Sequence, residues 1–115
     1  MDVLGIDIGG TGIKANIVDS LTGTLKAEKF KIKTPTPATP ESIIERLKTI
    51  VDHFNWHGKK IGICFPAVIK HGISMTATNI DASFINYEIN KHFSSALNSE
   101  VNVINDADAA GIAEM

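Results

Sequence analysis

Cysteine is nearly missing from this chain. Cys64 stands alone among 115 residues, so no disulfide can close within it, and such usage suits a reducing compartment. No apolar run approaches the length of a membrane span. The opening Met1-Asp2-Val3 lacks the basic start and apolar stretch of a secretory signal. An excess of positive charge is lacking as well. The formal net charge is −2, which gives no electrostatic case for a nucleic acid or an anionic membrane as partner. These absences leave a soluble cytoplasmic domain as the expectation. What is present agrees: 43% apolar and 21% charged residues is globular composition rather than disorder. At 115 residues one ordinary domain buries about two-thirds of its unfolded surface.

Along the chain, Val3 to Ile8 is a short apolar run of the buried-strand kind. Ile13 to Asp19 alternates, with Ile13, Ala15 and Ile17 on one side. Ser20 to Gly23 is turn chemistry, and Thr24 to Lys33 reads as a third strand of an antiparallel meander. Thr34 to Pro40 (TPTPATP) is a stiff connector, since proline fixes φ and removes a donor. It matches PxxP formally but simply leads into a helix. Thr39 can cap that helix, Pro40 suits its first position and Glu41 favours its positive end. Ile43, Ile44, Leu47, Ile50, Val51 and Phe54 recur at helical spacing, and Asn55 to Lys59 ends the run. Lys60 to Phe65 is a strand stopped by Pro66, and Val68-Ile69 with Ile73 to Met75 makes a small hairpin about His71-Gly72. Tyr87 to Leu97 is a second helix, Val101 to Ile104 another strand, and a third helix opens after it. The fold class expected is α/β: a mixed five-stranded sheet, meander first and parallel strands after, with helices on its faces. The segment from Asp106 to Met115 stops inside a helical pattern without a terminator, so the chain is expected to be an N-terminal piece of something longer.

The stretch GIDIGGTGIKANIVD, Gly5 to Asp19, fits three phosphate-loop patterns to different degrees. Gly10 to Ala15 satisfies G-x-G-x-x-G/A, yet a strand follows where a dinucleotide loop needs a helix. Walker A fails too, because Lys14 precedes Ala15 rather than a hydroxyl residue. A strand–glycine turn–strand hairpin remains. Its successive amides can form an anion nest, Thr11 adds a hydroxyl and Lys14 a positive charge. Asp7 in a buried strand is costly unless paired, hydrogen-bonded or near a metal. The alternative is a plain tight hairpin, with glycines supplying φ > 0 and Asp7 bonded to turn amides.

A second constellation is VNVINDADAAGIAE, Val101 to Glu114. Asn105-Asp106 falls at the carboxyl end of a strand, where open α/β sheets gather ligands. A carboxylate there can act as base toward a hydroxyl that the amide holds; the other reading is a helix cap. Thr76 to Glu88 is either a ligand-facing loop, through Asn79 or Asp81, or plain surface. His53 and His57 stand four apart but lack the glutamate of a metalloprotease helix, so they read as a surface pair and no metal site is expected.

Taken together, DIGGTGIK, GICFPAVIKHG, TATNID and INDADAAGIAE follow one another as in the ROK-type sugar kinases, and the chain most resembles their polyphosphate/ATP glucokinase and glucomannokinase branch. That resemblance implies an actin-like, ribonuclease-H-type fold of two lobes, of which this chain matches the N-terminal one over residues 1–115. It implies that Asp7, Gly9, Gly10, Thr11 and Lys14 face the transferring phosphoryl group. Asp106 would be the catalytic base toward the sugar 6-hydroxyl. Asn105 and Asn79 would be sugar ligands, and Pro66 and Ala67 the turn bordering the sugar. It further implies Mg2+ travelling with ATP or inorganic polyphosphate, glucose or mannose as acceptor, and a homodimeric full-length parent. The family's zinc motif and its glutamate and histidine sugar ligands would lie beyond Met115. Ala67 departs from the glycine usual there, and an alanine would be strained if the turn needs φ > 0. Two other classes share parts of the pattern. A sugar-responsive transcriptional regulator would carry a helix-turn-helix ahead of the first strand, which here begins at Val3. An actin- or chaperone-like ATPase module has no reason to carry the sugar loop with Asn105-Asp106.

Overall fold

The computed structural model describes residues 2–77 and 80–105. Strands β1 (Asp2–Ile8), β2 (Gly12–Asp19) and β3 (Phe30–Lys33) form the meander. Helix α1 (Pro40–Phe54) leads to β4 (Ile61–Phe65), and β5 (Ile69–Lys70) with β6 (Ile73–Ser74) makes a separate hairpin. A 3₁₀ turn (Ala82–Phe84), helix α2 (Ile89–Leu97) and β7 (Val101–Asn105) complete the described chain. The five-stranded sheet runs β3-β2-β1-β4-β7. β1, β2 and β3 pair antiparallel, while β1, β4 and β7 pair parallel. The expected α/β architecture is therefore present.

One face of the sheet carries the core. Leu4, Ile6 and Ile8 stand in register with Ile61, Ile63, Ile13 and Ala15, and all are buried with the apolar stripes of α1 and α2. Ile43, Leu47, Ile50 and Val51 are buried from α1, as the helical spacing predicts, with Ile44 and Phe54 half-buried. The Thr39 hydroxyl accepts from the Ser42 amide while Ser42 Oγ accepts from the Thr39 amide, closing a reciprocal cap. Asn55, at φ 51°, turns the helix off. Alternation puts Gly5, Val18, Gly62 and Cys64 on the opposite face, which bounds an open, largely apolar cleft of about 490 Å³.

The third strand is shorter than expected. Asn16 Oδ1 accepts from the Ala27 amide and Lys26 N donates to Ile17 O, so Lys26 and Ala27 bond to β2 through a side chain and one carbonyl rather than a ladder. Only Phe30–Lys33 pairs as strand, tied to α1 by the Phe30 ring stacked on His53 at 3.8 Å. The β5–β6 turn uses His71 at φ 53° and Gly72 at φ 76°, a pair of left-handed residues that matches hairpin twist. Asn90 of α2 donates to Gly72 O through its backbone N–H and accepts from Val103 N through Oδ1, linking this hairpin to β7. Among the described residues no helix is long and apolar enough to cross a membrane.

Because β1, β4 and β7 are parallel, their carboxyl ends, Ile8, Phe65 and Asn105, reach the same edge of the sheet. That edge carries the candidate site.

Candidate active site

The turn between β1 and β2 is closed by Gly9 N donating to Gly12 O at 2.9 Å. Neither Gly9 nor Gly12 has the positive φ that a plain tight hairpin would use them for. Close approach is their reason: a Cβ on Gly9 would stand 3.1 Å from the Gly12 carbonyl oxygen. Thr34, buried at the end of β3, clamps the turn from the side. Its Oγ donates to Gly9 O at 2.7 Å and its amide donates to Thr11 O at 3.2 Å. Sequence reasoning missed Thr34, having read its stretch as connector; the one available signal was a hydroxyl residue at the end of a strand.

The hairpin lines a cleft of about 540 Å³ bounded by Asp7, Gly9, Thr11, Gly12, Lys14, Lys31, Ile32 and Lys33. Asp7 was expected in a buried setting and is instead exposed, since alternation turns it to the open face of β1. There it stands across from Lys14 in the β1–β2 register. An exposed carboxylate beside an exposed ammonium is cheap to hold and available to a ligand. Gly10 contributes to an adjoining cleft of about 350 Å³ with Thr11, Lys33, Thr34, Pro35, Thr36 and Arg46.

The second part of the site is the turn after β4. Ala67 N donates to Phe65 O at 2.9 Å around Pro66, and Asn105 Nδ2 donates to Ala67 O at 2.6 Å. The end of β7 is thus bonded to the turn expected to border the sugar, and the Asn105 amide nitrogen serves that turn. The strain expected at Ala67 is absent: its φ is not positive, because Pro66 and the short Ala67–Phe65 bond make the bend. Its side chain is buried. Ala67→Gly is accordingly expected to lower stability by about 1 kcal/mol rather than relieve anything. A urea midpoint that rises instead would reveal hidden strain.

Asn79 and Asp106 lie outside the described residues. Asp81 does not offer a free carboxylate: Oδ1 accepts from Ser83 Oγ and the Ser83 amide, which hold its pKa below the usual range. The loop it belongs to is more than surface, because Phe84 is fully buried against Phe65, Tyr87 and Phe93. Burial, and secondarily Glu41, raises the Tyr87 phenol. His53 and His57 do not act as a pair; His53 stacks on Phe30 and His57 Nε2 meets Asp52 Oδ1 at 2.7 Å.

A glycine hairpin and a proline turn braced by an asparagine thus share one edge of this sheet. The ROK family model matches residues 3–115. The chain belongs to the ROK family. A polyphosphate glucokinase of Mycobacterium tuberculosis is 42% identical over 111 residues, covering 96% of this chain and 42% of that protein. The inorganic polyphosphate/ATP-glucomannokinase of Arthrobacter sp. strain KM superposes with a TM-score of 0.91 at 43% identity, over 98% of this chain and 47% of that one. A ROK family glucokinase from Streptomyces griseus, solved with glucose and AMPPNP, gives a TM-score of 0.76 at 30% identity, over 96% of this chain and 35% of that one. These neighbours are ROK sugar kinases, whose fold is the actin-like ATPase fold. This ROK chain spans less than half the length of these relatives.

Proposed function

We propose that this chain is the N-terminal lobe of a two-lobe hexose kinase that moves a phosphoryl group from ATP or inorganic polyphosphate to the 6-hydroxyl of glucose or mannose. The observation that carries the reading is the convergence of two unlike elements at one sheet edge. The Gly9–Gly12 hairpin suits phosphate, and the Pro66-Ala67 turn bonded to Asn105 suits a sugar. The M. tuberculosis relative bears the name polyphosphate glucokinase, which supports donor and acceptor class alike.

In this reading the amides of Gly10 and Thr11, the Thr11 hydroxyl and Lys14 hold the transferring phosphoryl group, while Gly9, whose own amide closes the turn on the Gly12 carbonyl, lets the hairpin fold tightly beside it. Asp106 takes the proton of the sugar hydroxyl, while Asn105, Asn79 and the Pro66-Ala67 turn position the sugar. Asp7 fits a Mg2+ that arrives with the donor: it is a hard oxygen ligand on the cleft wall, and Mg2+ commonly keeps waters and substrate phosphates with only one or two carboxylates. The metal would neutralise developing charge on the phosphoryl oxygens. The protein's own part is mainly alignment, which can supply up to about 7–11 kcal/mol, whereas a placed base adds about 10²–10⁴-fold. A full-length homodimer in the cytoplasm, with neither nucleic acid nor membrane as partner, completes the proposal. The ATPase reading has less behind it, because it does not account for a sugar turn beside a phosphate hairpin, and the regulator reading has less because the 42%-identical relative bears the name of a kinase.

The larger catalytic contribution needs both lobes, so the purified 115-residue chain is expected to give no sugar-dependent phosphate transfer above background. The full-length protein is expected to turn over glucose or mannose with ATP or polyphosphate. Full-length protein that hydrolyses ATP without regard to sugar would place it with the ATPase modules instead.

A further inference from the structure

The charge around the phosphate hairpin is not spread as the whole chain's is. The chain as a whole is slightly acidic, at −2, yet three lysines line the one cleft that holds the hairpin. Lys14 of β2 lies directly across from Lys31 of β3, and Lys33 follows two residues along the same strand. Directly opposed side chains in an antiparallel pair have Cβ atoms about 4.5–5.5 Å apart, and like charges so placed destabilise the pair. Same-face neighbours along a strand are about 6–7 Å apart. Among the described residues neither Lys31 nor Lys33 lies within ion-pairing reach of a carboxylate. Lys33 also belongs to the adjoining cleft, where Arg46, the chain's single arginine, donates through Nε to the Lys33 carbonyl at 3.3 Å. The two clefts meet at Thr11 and Lys33.

A solvated lysine edge has an ordinary explanation, since β3 is the outer strand of the sheet and lysines blunt exposed edges. That explanation covers Lys31 and Lys33 taken singly. It does not cover Lys14 on the inner strand facing Lys31, nor the arginine brought from α1 to the same place. Asp7, across from Lys14 on the other side, is one carboxylate against four cations, and an excess of that size is tolerated where an extended anion neutralises it.

We propose that Lys31, Lys33 and Arg46 form a track for the distal phosphates of a linear inorganic polyphosphate whose reacting end sits at the hairpin. The track rests on the donor reading of that hairpin. It adds that the lobe itself favours a chain longer than a triphosphate, because the cations lead from the hairpin cleft through Lys33 into the adjoining cleft that holds Arg46. Charge neutralisation along a polyanion releases counterions, so binding through the track is salt-sensitive.

The test is calorimetric titration of the 115-residue chain with long-chain polyphosphate and, separately, with tripolyphosphate. Three proteins are compared: wild type, Lys31→Gln/Lys33→Gln and a charge-matched Lys48→Gln/Lys70→Gln. Arg46→Gln is added as a single variant, with circular dichroism confirming each fold. Loss of the two track lysines is expected to weaken long-chain binding about 10-fold and to flatten its salt dependence by about two ions, as lost phosphate contacts do. Tripolyphosphate binding and the charge-matched protein should change less than about twofold. Arg46→Gln should follow the track lysines in direction. Long-chain binding that is absent in wild type, that is unchanged in the double variant, or that falls equally with either ligand or in the charge-matched protein overturns the track. Wild type that binds long chains through the track but not tripolyphosphate leaves the track standing and removes the hairpin as a phosphate site.

Discussion

Asp106→Ala in the two-lobe kinase proposed above is expected to lower kcat by about 10²–10⁴-fold with sugar affinity nearly unchanged. The expectation rests on the proposed role of Asp106 as the base next to Asn105. β7 runs parallel to β4 with Asn105 in register with Phe65, so the last described residue of the strand lies at the edge that holds Pro66 and the hairpin after β1. Asn105 is fixed there by its 2.6 Å bond to the Ala67 carbonyl. A base acts only while the proton moves, so its removal appears in kcat; a lost sugar ligand appears in KM as well. If Asp106 is only a helix cap, the variant loses about 1 kcal/mol of stability and turns over normally. Steady-state kinetics beside a thermal melt separate the two outcomes.

The second large effect concerns folding. Phe84→Ala is expected to destabilise the chain by about 3–5 kcal/mol, a large part of the roughly 5–15 kcal/mol available to a domain of this size. Phe84 is fully buried, with its ring centroid 4.8 Å from Phe65 and 5.4 Å from Tyr87. It joins the polar loop to the end of β4, so its loss removes core packing and loosens the loop together. Denaturant unfolding with an unchanged slope and a much lower midpoint is the expected record. A loss under about 1 kcal/mol would mean that the loop rides on the core without being anchored by it.

These two residues also mark where sequence was and was not informative. Thr39, Pro40 and the stripe from Ile43 to Phe54 announce α1 because cap, first-turn proline and period agree. β1, β2, β4 and β7 were legible from short apolar runs and alternation. The loop around Phe84 was not, since one aromatic among polar residues has no period; its burial is decided by Phe65 and Phe93, distant in sequence. β3 was read too long because nothing in the pattern tells that the Asn16 side chain intercepts the Ala27 amide. At the site, residue types identified the hairpin and the end of β7, and strand pairing brought their edge together. The exposure of Asp7 and the relaxed bend at Ala67 depend on strand facing and on how Pro66 turns, which composition does not encode.

Asn90 reaches two ways, to the Gly72 carbonyl and to the Val103 amide. A Cβ on Gly72 would press within 3.2 Å of the Asn90 amide nitrogen. The small hairpin, α2 and the last strand are therefore riveted into a single plate. A bulky side chain introduced at that distant turn would be felt, through one asparagine, two residues before Asn105.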